Sequence, residues 1–308
     1  MYLPIAGVDV EPGTRALTAA GFDVHHLAEP RLDDTAPRDA VALFVGYDPV
    51  DARILDALPQ LRIVVTHSAG YDMVDVAEAR RRDIWVCNVP AGATEEVAVH
   101  AFAMALALLR RLPGWDSYVR GGVWDENMPH GMRRPSALRC GVLGMGRIGQ
   151  RFAQLASGVF GEVVGADPYL PQEVWPAGVT RVEVDELFDS DVVTLHLPLT
   201  ADSRGIVDAA RLARLPSDAV LVNTSRGALI DEAALLAALD ASRLAGAGLD
   251  VLDGEPPAPD NPLLRHGRVL VSPHVGYLSA ESDAEYARAP AENVVAWYRS
   301  GRPNTPIA

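Results

Sequence analysis

Two blocks of alternating apolar and amphipathic segments make up most of the chain. In each block, short runs rich in β-branched residues indicate strands, and apolar residues three or four positions apart indicate helices. In the first block, the predicted strands are 22–27, 41–46, 61–66 and 84–88, and the predicted helices are 13–20, 51–58 and 74–82. Because strands and helices alternate, we expect parallel strands joined by right-handed crossovers.

The second block begins at Leu138 and repeats this alternation. Its predicted strands are 139–143, 162–166, 192–197, 219–223, 246–251 and 269–272. Six such runs separated by helices are typical of a doubly wound parallel sheet. Glycine, proline and tryptophan residues at 114–137 predict an irregular segment between the blocks, and the helical pattern at 280–300 is expected to cross back to the first block. The predicted fold class is therefore α/β, with two domains.

A long helix is predicted to join the two blocks. Thr94 is a suitable N-cap, and Glu95 and Glu96 lie in the first turn, where the helix dipole favours acids. Residues 97–109 are almost all apolar, so we expect this helix to be buried between two layers or two domains. Its apolar surface is larger than one neighbour needs, so we also expect it to contribute to a homodimer interface.

The charged residues narrow the chemistry. The chain has 308 residues, of which 27 are basic and 41 acidic, and none of them is lysine. The absence of lysine excludes a Schiff-base lysine, a lysine general base and the G-K-[ST] phosphate loop. The net charge of −14 argues against nucleic acid or an anionic membrane surface as a partner, since both attract basic surfaces. A positive field for an anionic substrate must then be local, from arginine or helix N-termini.

Other features favour a cytoplasmic protein. Cys87 and Cys140 lie inside apolar runs and are expected to be reduced core thiols. The longest apolar run, 101–109, is far shorter than the ~20 residues that span a bilayer, and the first residues lack a signal-peptide pattern. We predict no metal site.

A glycine motif follows the first strand of the second block. The hexad 144–149, Gly-Met-Gly-Arg-Ile-Gly, has the form G-x-G-x-x-G and precedes a helical pattern. Gly144 allows the tight turn, Gly146 lets the backbone approach a pyrophosphate, and Gly149 lets the helix pack on the strand. With Arg147 and Ile148 between them, these residues form the predicted phosphate-binding part of a dinucleotide site at a helix N-terminus.

An acid at the end of the next strand indicates which dinucleotide binds. Asp167 stands 18 residues after Gly149, close to the distance of roughly 20 expected for an acid that binds the ribose 2′-hydroxyl. Such a carboxylate repels a 2′-phosphate, and no arginine follows at 168–170, so NAD is favoured over NADP. The alternative is a plain glycine turn with a strand-end aspartate that caps a local turn.

Three further segments follow predicted strands and carry the candidate chemistry. They are Thr-Ser-Arg-Gly at 224–227, Leu-Asp-Gly-Glu-Pro at 252–256 and Pro-His-Val-Gly at 273–276. In open α/β sheets, ligands bind outside the carboxyl ends of the strands. An arginine, a carboxylate and an imidazole together are able to bind a carboxylate and transfer a proton.

With these motifs in this order, the chain resembles the D-isomer-specific 2-hydroxyacid dehydrogenase family. The family signatures occur as LGMGRIG at 143–149, LHLPLT at 195–200, VNTSRGAL at 222–229, GLDVLDGEP at 248–256 and SPHVG at 272–276. In the first block, HSAGYD at 67–72 and VPAGATEEV at 89–97 extend the resemblance to nearly the whole chain. Within the family, the sequences of these motifs are most similar to those of the C-terminal-binding-protein-like branch.

The resemblance implies hydride transfer between a nicotinamide and C2 of a 2-hydroxy or 2-oxo acid. Arg226 would hold the substrate carboxylate and polarise the 2-oxo group. His274 would donate the proton in reduction and accept it in oxidation, and Glu255 would orient His274 and favour its protonated form.

The resemblance also implies binding roles for other residues. Thr224 and Asp250 would contact the cofactor, with Asp250 beside the nicotinamide carboxamide. Ser68, Ala69 and Gly70 would form the substrate loop, in which the backbone N–H groups of Ala69 and Gly70 meet the substrate carboxylate.

The chain departs from the family pattern at three places, of which the first concerns the domain interface and the other two concern the substrate. Val99 replaces a glutamate that often precedes the histidine of the linking helix, and Tyr277, a predicted substrate contact, replaces a tryptophan of the named branch. The loop at Ser68 lacks the arginine or lysine that some members use for phosphorylated substrates or phosphite, which disfavours both. The Arg–Glu–His set argues against formate dehydrogenase, so a small, non-phosphorylated 2-oxo acid is expected.

The resemblance implies two Rossmann- or flavodoxin-like domains with the active site in the cleft between them. An NAD-binding domain is predicted at 97–278, and a substrate domain is predicted to combine 1–96 with 279–308.

Some alternatives stay open. The same fold also serves NADH-sensing corepressor or scaffold proteins, and a member that binds NAD without chemistry is a further alternative. His67 either contacts substrate or ends a strand, whereas His100 is expected to be structural.

Overall fold

The computed structural model describes residues 1–5, 7–29, 32, 36–127 and 131–307. These residues form two compact units, Met1–Ala93 with Leu278–Ala308, and Thr94–Tyr277. The predicted domain borders, at 96/97 and 278/279, lie close to these divisions.

The first unit contains a small parallel sheet. Its elements are α1 Glu11–Ala19, β1 Ala42–Val45, α2 Ala52–Ala57, β2 Ile63–Thr66, α3 Val76–Arg81, β3 Trp85–Cys87 and α10 Ala280–Ser300. The strands lie in the order β1-β2-β3, and β1 and β2 are buried along their whole length, which explains why both read as continuous apolar runs. Asp51 and Asp75 cap the helices that follow β1 and β2 by accepting backbone N–H groups.

The predicted strand at 22–27 is wrong. Only isolated bridges form there: Tyr2 donates its N–H to His25 and accepts from Leu27, and it also bridges to Phe44. Pro4, two residues further along, has no N–H to donate, so pairing along this edge cannot continue.

The second unit is built on a larger parallel sheet. Its elements are α4 Thr94–Leu109, α5 Leu112–Arg120, β4 Arg139–Leu143, α6 Arg147–Ser157, β5 Glu162–Ala166, β6 Thr180–Arg181, α7 Val184–Leu187, β7 Val192–Leu195, α8 Ala209–Arg214, β8 Val220–Asn223, α9 Glu232–Asp240, β9 Gly246–Leu249 and β10 Val269–Val271. The strand order among the described residues is β10-β9-β8-β7-β4-β5-β6. The order reverses at β4, which is the usual ligand-binding position of such sheets.

The strands of this sheet are aligned at their carboxyl ends. Leu143 pairs with Ala166 on one side and Leu195 on the other, and the alignment continues through Asn223 and Leu249. Val271 of β10 pairs in turn with the end of β9. The segments that begin at 144, 167, 196, 224, 250 and 272 therefore all leave the sheet at the same edge, as the sequence predicted for the candidate site.

The helix predicted at 97–109 is present as α4. It packs on α6, β8 and β9, and Ala98, Ala101, Met104 and Ala105 are buried within the second unit. Within the described part of the chain, no single helix is long and apolar enough to cross a bilayer; α4 and α5 reach that length and composition only as a pair bent by 59°.

The segment predicted to be irregular contains helix α5, which has no buried residue. Exposed apolar side chains continue beyond it, and Trp124 is 87% exposed. The apolar surface available for another copy thus lies on α5 and the residues after it more than on α4. The homodimer stays a prediction.

Candidate functional site

The glycine motif forms a tight turn between β4 and α6. Gly144 has φ +90°, and a Cβ there would lie 2.4 Å from the backbone oxygen of His196. A Cβ on Gly149 would lie 1.9 Å from the oxygen of Gly144, so only glycine allows the helix to meet the turn. At Gly146 a Cβ would meet nothing within 4 Å, and this residue caps α6 without a side-chain acceptor.

These features fit a bound dinucleotide. Gly146 and Arg147 are exposed, and first-turn N–H groups of an α-helix lack intrahelical partners. A pyrophosphate is the kind of anion that such a terminus binds. Ile148 packs on the core behind the turn, so its contribution is to hold the helix start in place.

Asp167 ties the glycine turn to the end of β5. Its carboxylate accepts the N–H groups of Met145 at 2.9 Å, Tyr169 at 2.9 Å and Leu170 at 3.1 Å. The local capping alternative is therefore realised. A carboxylate has about four acceptor positions, so capacity is left for a ribose hydroxyl as well.

A cation that no sequence pattern predicts also lies at this edge. Arg181 of β6 donates to the backbone oxygen of Asp167 at 2.9 Å, and its guanidinium lies 4.8 Å from the centre of the Trp175 ring. The two-residue strand β6 is too short to show a hydrophobic period, so nothing in the sequence indicates that Arg181 lies near Asp167.

The loop after β8 carries Arg226 and is folded by a buried asparagine. Asn223 donates from Nδ2 to the Arg226 oxygen at 2.8 Å and accepts from the Ser225 N–H at 3.0 Å. Ser225 Oγ donates to the oxygen of Leu195 at 2.8 Å, which fastens the loop to β7. Thr224 is buried, and its hydroxyl has no partner among the described groups. A buried hydroxyl of this kind suits a ligand contact.

The Arg226 loop and the Glu255 loop touch through their backbones. A Cβ on Gly227 would lie 1.9 Å from the carbonyl carbon of Leu252 and 2.2 Å from the nitrogen of Asp253. Glycine at this position therefore lets the two loops lie against each other. The positive charge of Arg226 is close enough to lower the pKa of the Glu255 carboxyl.

Glu255 and His274 are paired, as the resemblance implies. His274 Nδ1 lies 2.6 Å from Glu255 Oε2, and Leu252 donates its N–H to Oε1 at 3.1 Å. Burial alone raises the pKa of the Glu255 carboxyl, but the hydrogen bond and charge of His274, the Leu252 N–H and the Arg226 charge together hold the pKa below its usual value. An ionised Glu255 can only accept, so His274 donates from Nδ1.

Asp250 is buried beneath the His274 loop. Burial raises the pKa of its carboxyl, but the nearby His100 ring and hydrogen bonds from Ser272, Val275 and Gly276 hold the pKa below its usual value. These protein donors use much of its acceptor capacity, so its predicted contact with the nicotinamide carboxamide stays a proposal.

The predicted substrate loop follows β2 in the first unit. Asn88 donates to the oxygen of Ala69 at 2.6 Å, and Ser68 Oγ donates to the oxygen of Gly70 at 2.7 Å. The hydroxyl of Ser68 is thus committed to shaping its own loop. In the described residues, neither the Ala69 nor the Gly70 N–H donates to a protein group. Tyr277, the other predicted substrate contact, is the last residue of the second unit and is half-buried.

His67 belongs to the core of the first unit. Its side chain is buried, and its ring centre lies 5.8 Å from that of Tyr2 and 6.0 Å from that of Phe44. Burial lowers the pKa of His67 to about 4, so the ring is neutral near pH 7. The structure favours the strand-end alternative over substrate contact.

His196 is a second buried histidine, and sequence reasoning assigned it no role. Its Nε2 lies 3.0 Å from Thr194 Oγ1, its ring packs on Phe152, and its backbone lies against Gly144. Burial lowers the pKa of His196 to about 3, so it supports the glycine turn as a neutral ring.

The two buried histidines predict a loss of stability in mild acid. Their folded-state pKa values lie below the ~6.5 of an unfolded chain, so the unfolded state takes up protons first as the pH falls. Each is expected to remove about 2 kcal/mol of unfolding free energy between pH 7 and pH 5. Urea titrations at both pH values should show a smaller loss for His196→Gln than for the wild type. The exposed variant His25→Gln is the control, and equal losses in all three proteins would contradict this explanation.

Similarity to known proteins extends over most of this chain. Residues 102–276 match the family model described as D-isomer specific 2-hydroxyacid dehydrogenase, NAD binding domain. A glyoxylate reductase from Korarchaeum cryptofilum is 39% identical over 262 residues, which cover 83% of this chain and 79% of that protein. The chain belongs to the D-isomer-specific 2-hydroxyacid dehydrogenase family. This membership confirms the resemblance found in the sequence. It also confirms that the protein is a nicotinamide-dependent oxidoreductase of 2-hydroxy and 2-oxo acids.

Two further family members show how far the likeness extends. A D-3-phosphoglycerate dehydrogenase from Archaeoglobus fulgidus is 35% identical over 87% of this chain, but the chain spans only 51% of that protein's length. The crystal structure of an NADPH-dependent glyoxylate/hydroxypyruvate reductase from Sinorhizobium meliloti, in complex with NADP and malonate, is 31% identical and superposes with a TM-score of 0.87. That match covers 100% of this chain and 96% of the other, and it confirms the predicted α/β fold.

Proposed function

We propose that this protein reduces small, non-phosphorylated 2-oxo acids to 2-hydroxy acids with NADH. The observation that carries the proposal is the His274–Glu255 pair, with Nδ1 and Oε2 2.6 Å apart, on the same sheet edge as the glycine turn. The balanced reaction consumes a 2-oxo acid, NADH and one proton, and yields a 2-hydroxy acid and NAD⁺. When bound, the nicotinamide supplies the hydride that reaches C2.

His274 supplies the proton. Because Glu255 faces Nδ1, proton transfer to the carbonyl oxygen of the substrate runs through Nε2. The ionised Glu255 accepts from Nδ1 and keeps the ring oriented before and after the transfer. In the opposite direction, the neutral ring accepts the proton of the 2-hydroxyl group.

Arg226 binds the substrate anion. Its guanidinium offers five N–H donors in a fixed plane, which matches a carboxylate and an adjacent carbonyl oxygen. The hydrogen bonds of Asn223 hold the loop that carries Arg226. In a chain of charge −14, such a local cation is needed to attract an acidic substrate.

The substrate loop supports a small, non-phosphorylated acid. Residues 67–72, His-Ser-Ala-Gly-Tyr-Asp, contain no arginine or lysine to neutralise a phosphate. The N–H groups of Ala69 and Gly70 are suited to a single carboxylate. Although a phosphoglycerate dehydrogenase is among the relatives, its substrate does not fit this loop chemistry.

The proposed preference for NADH rests on Asp167. Its carboxylate repels a 2′-phosphate, but Arg181 beside it works in the opposite direction, and one relative is NADPH-dependent. We expect Asp167→Ser to raise kcat/KM for NADPH relative to NADH by about 10-fold, on the order of the loss of one charge repulsion. Arg181→Gln should lower use of NADPH and leave use of NADH nearly unchanged. If the wild-type protein turned over substrate only with NADPH, the proposed role of Asp167 would be contradicted.

The proposed function is tested by a substrate screen. A panel of short 2-oxo acids is offered with NADH and with NADPH, and the loss of reduced-cofactor absorbance is followed. We expect turnover of at least one small 2-oxo acid with NADH and little with a phosphorylated one. NADH binding without turnover of any 2-oxo acid would favour the sensor or scaffold alternative.

A further inference from the structure

The loop that carries His274 is held on both sides by one carboxylate. Asp250 Oδ1 accepts from Ser272 Oγ at 2.5 Å and from the Val275 N–H at 3.0 Å, and Oδ2 accepts from the Gly276 N–H at 2.8 Å. The backbone oxygen of Asp250 also accepts the N–H of His274 at 2.8 Å. His274 thus lies in the middle of a short loop, and residues on both sides of it form hydrogen bonds with the buried Asp250.

His100, from helix α4, completes this arrangement from outside the loop. Its Nε2 lies 2.9 Å from Ser272 Oγ and 3.5 Å from Asp250 Oδ1. The single hydroxyl proton of Ser272 is used on the ionised Asp250, so Ser272 Oγ must accept from His100, and Nε2 of His100 carries a proton. The His100 ring also lies over Gly276, where a Cβ would come within 3.3 Å of it and within 2.8 Å of Asp250 Oδ2.

The backbone of His274 explains why the loop has to be held. Its φ is +55°, in the left-handed region that residues with a side chain seldom adopt. A strained conformation persists only when its surroundings determine it. Here the surroundings are Asp250, together with Ser272, which donates to its carboxylate, and His100, which donates to Ser272.

We propose that His100 and Ser272 are positioning residues that act through Asp250 to hold His274 in its strained backbone and against Glu255. Neither touches the reacting atoms. They form a chain of hydrogen bonds from His100 through Ser272 to Asp250, and Asp250 in turn accepts the backbone N–H groups of His274, Val275 and Gly276. The inference rests on the proposed function for its kinetic consequences but not for its structural ones.

The kinetic test compares variants that break the chain with variants that keep it. We expect Ser272→Ala and His100→Ala each to lower kcat for a short 2-oxo acid by about 10-fold, because a misplaced catalytic group causes losses of this size. The KM for NADH should change less than about twofold, since neither residue belongs to the glycine turn. Ser272→Thr keeps the hydroxyl and His100→Gln keeps a donor near Nε2, so both should recover most of the activity. The double alanine variant should be little worse than either single one, because the two residues act in one chain.

Val99→Ala is the matched control, since Val99 is 45% exposed on the same helix next to His100. It should leave kcat unchanged. The proposal is overturned if the alanine variants retain full kcat, if their effects multiply in the double variant, or if Ser272→Thr is as slow as Ser272→Ala.

A spectroscopic test does not depend on turnover. In protein labelled with ¹³C-histidine, the His274 signal is assigned by its loss in His274→Asn. We expect that signal to move in Ser272→Ala and to stay in place in Ser272→Thr and Val99→Ala. If wild-type protein reduces no 2-oxo acid, the proposed function fails, while a signal that moves in Ser272→Ala still supports the positioning role. A signal that does not move overturns it.

Discussion

His274→Asn will lower the turnover of 2-oxo acids by about 10²-fold or more, which is the scale of lost general acid–base catalysis. Asparagine adopts left-handed backbone conformations readily, so the φ of +55° at this position is kept while the imidazole is removed. Affinity for NADH, measured by fluorescence titration, is expected to stay nearly intact because the glycine turn is untouched. The loss should therefore appear in kcat.

Two comparisons make this result specific. His274→Ala should be at least as slow, because it removes both the ring and the tolerance for the left-handed backbone. His25→Asn, at an exposed histidine of the first unit, should behave as the wild type. Near wild-type turnover of His274→Asn would remove His274 from the role of proton donor.

Gly227→Ala is expected to be strongly damaging although it adds a single methyl group. The added Cβ would lie 1.9 Å from the carbonyl carbon of Leu252, and backbone atoms cannot yield as a flexible side chain does. Overpacking of this kind should cost about 3 kcal/mol of unfolding free energy. Because the two displaced loops carry Arg226 and Glu255, kcat should fall by about 10-fold or more even in the protein that remains folded.

The control for this change is Gly267→Ala in the same unit. A Cβ on Gly267 would meet no atom within 4 Å, so its unfolding free energy should stay within about 0.5 kcal/mol of the wild type. Urea unfolding and steady-state kinetics on both variants give the comparison. Equal stability of the two would show that the Gly227 loops do not need their close approach.

Much of the fold was predictable because its signals are local. Runs such as 140–143 and 163–166 carry no charged or polar side chain except a cysteine and are buried, as parallel strands are, and the G-x-G-x-x-G hexad predicts the turn that follows β4. The rule that parallel strands end at one edge then predicted that the segments carrying Arg226, Glu255 and His274 share that edge.

What the sequence did not reveal depends on pairing over long distances. The apolar pattern at 22–27 suits a strand. In the structure this segment pairs only with Tyr2, and Pro4, two residues after Tyr2, has no N–H with which to continue the pairing. Strand β6 is only two residues long, and it alone brings Arg181 to Asp167. Helix α5 has exposed apolar residues and was predicted as irregular because glycine and proline lie in and beside it.

The residues of the candidate site were predictable from the sequence, but the hydrogen bonds that hold them in place were not. Family signatures located Arg226, Glu255 and His274, and the structure shows that the last two are in contact. His100 was expected to be structural, and its bond to Ser272, 172 positions away, has no signal in one sequence. Only the fold brings these two residues together.

The measurement that tests the central claim most directly follows the hydride itself. NADH carrying deuterium at both C4 positions is supplied with a short 2-oxo acid, and the 2-hydroxy acid product is analysed by mass spectrometry and by chiral separation. We predict one deuterium, located at C2, in a product of D configuration, formed by the wild type and about 10²-fold more slowly by His274→Asn. A product without deuterium at C2, or no product from any 2-oxo acid while NADH binds, would contradict the account.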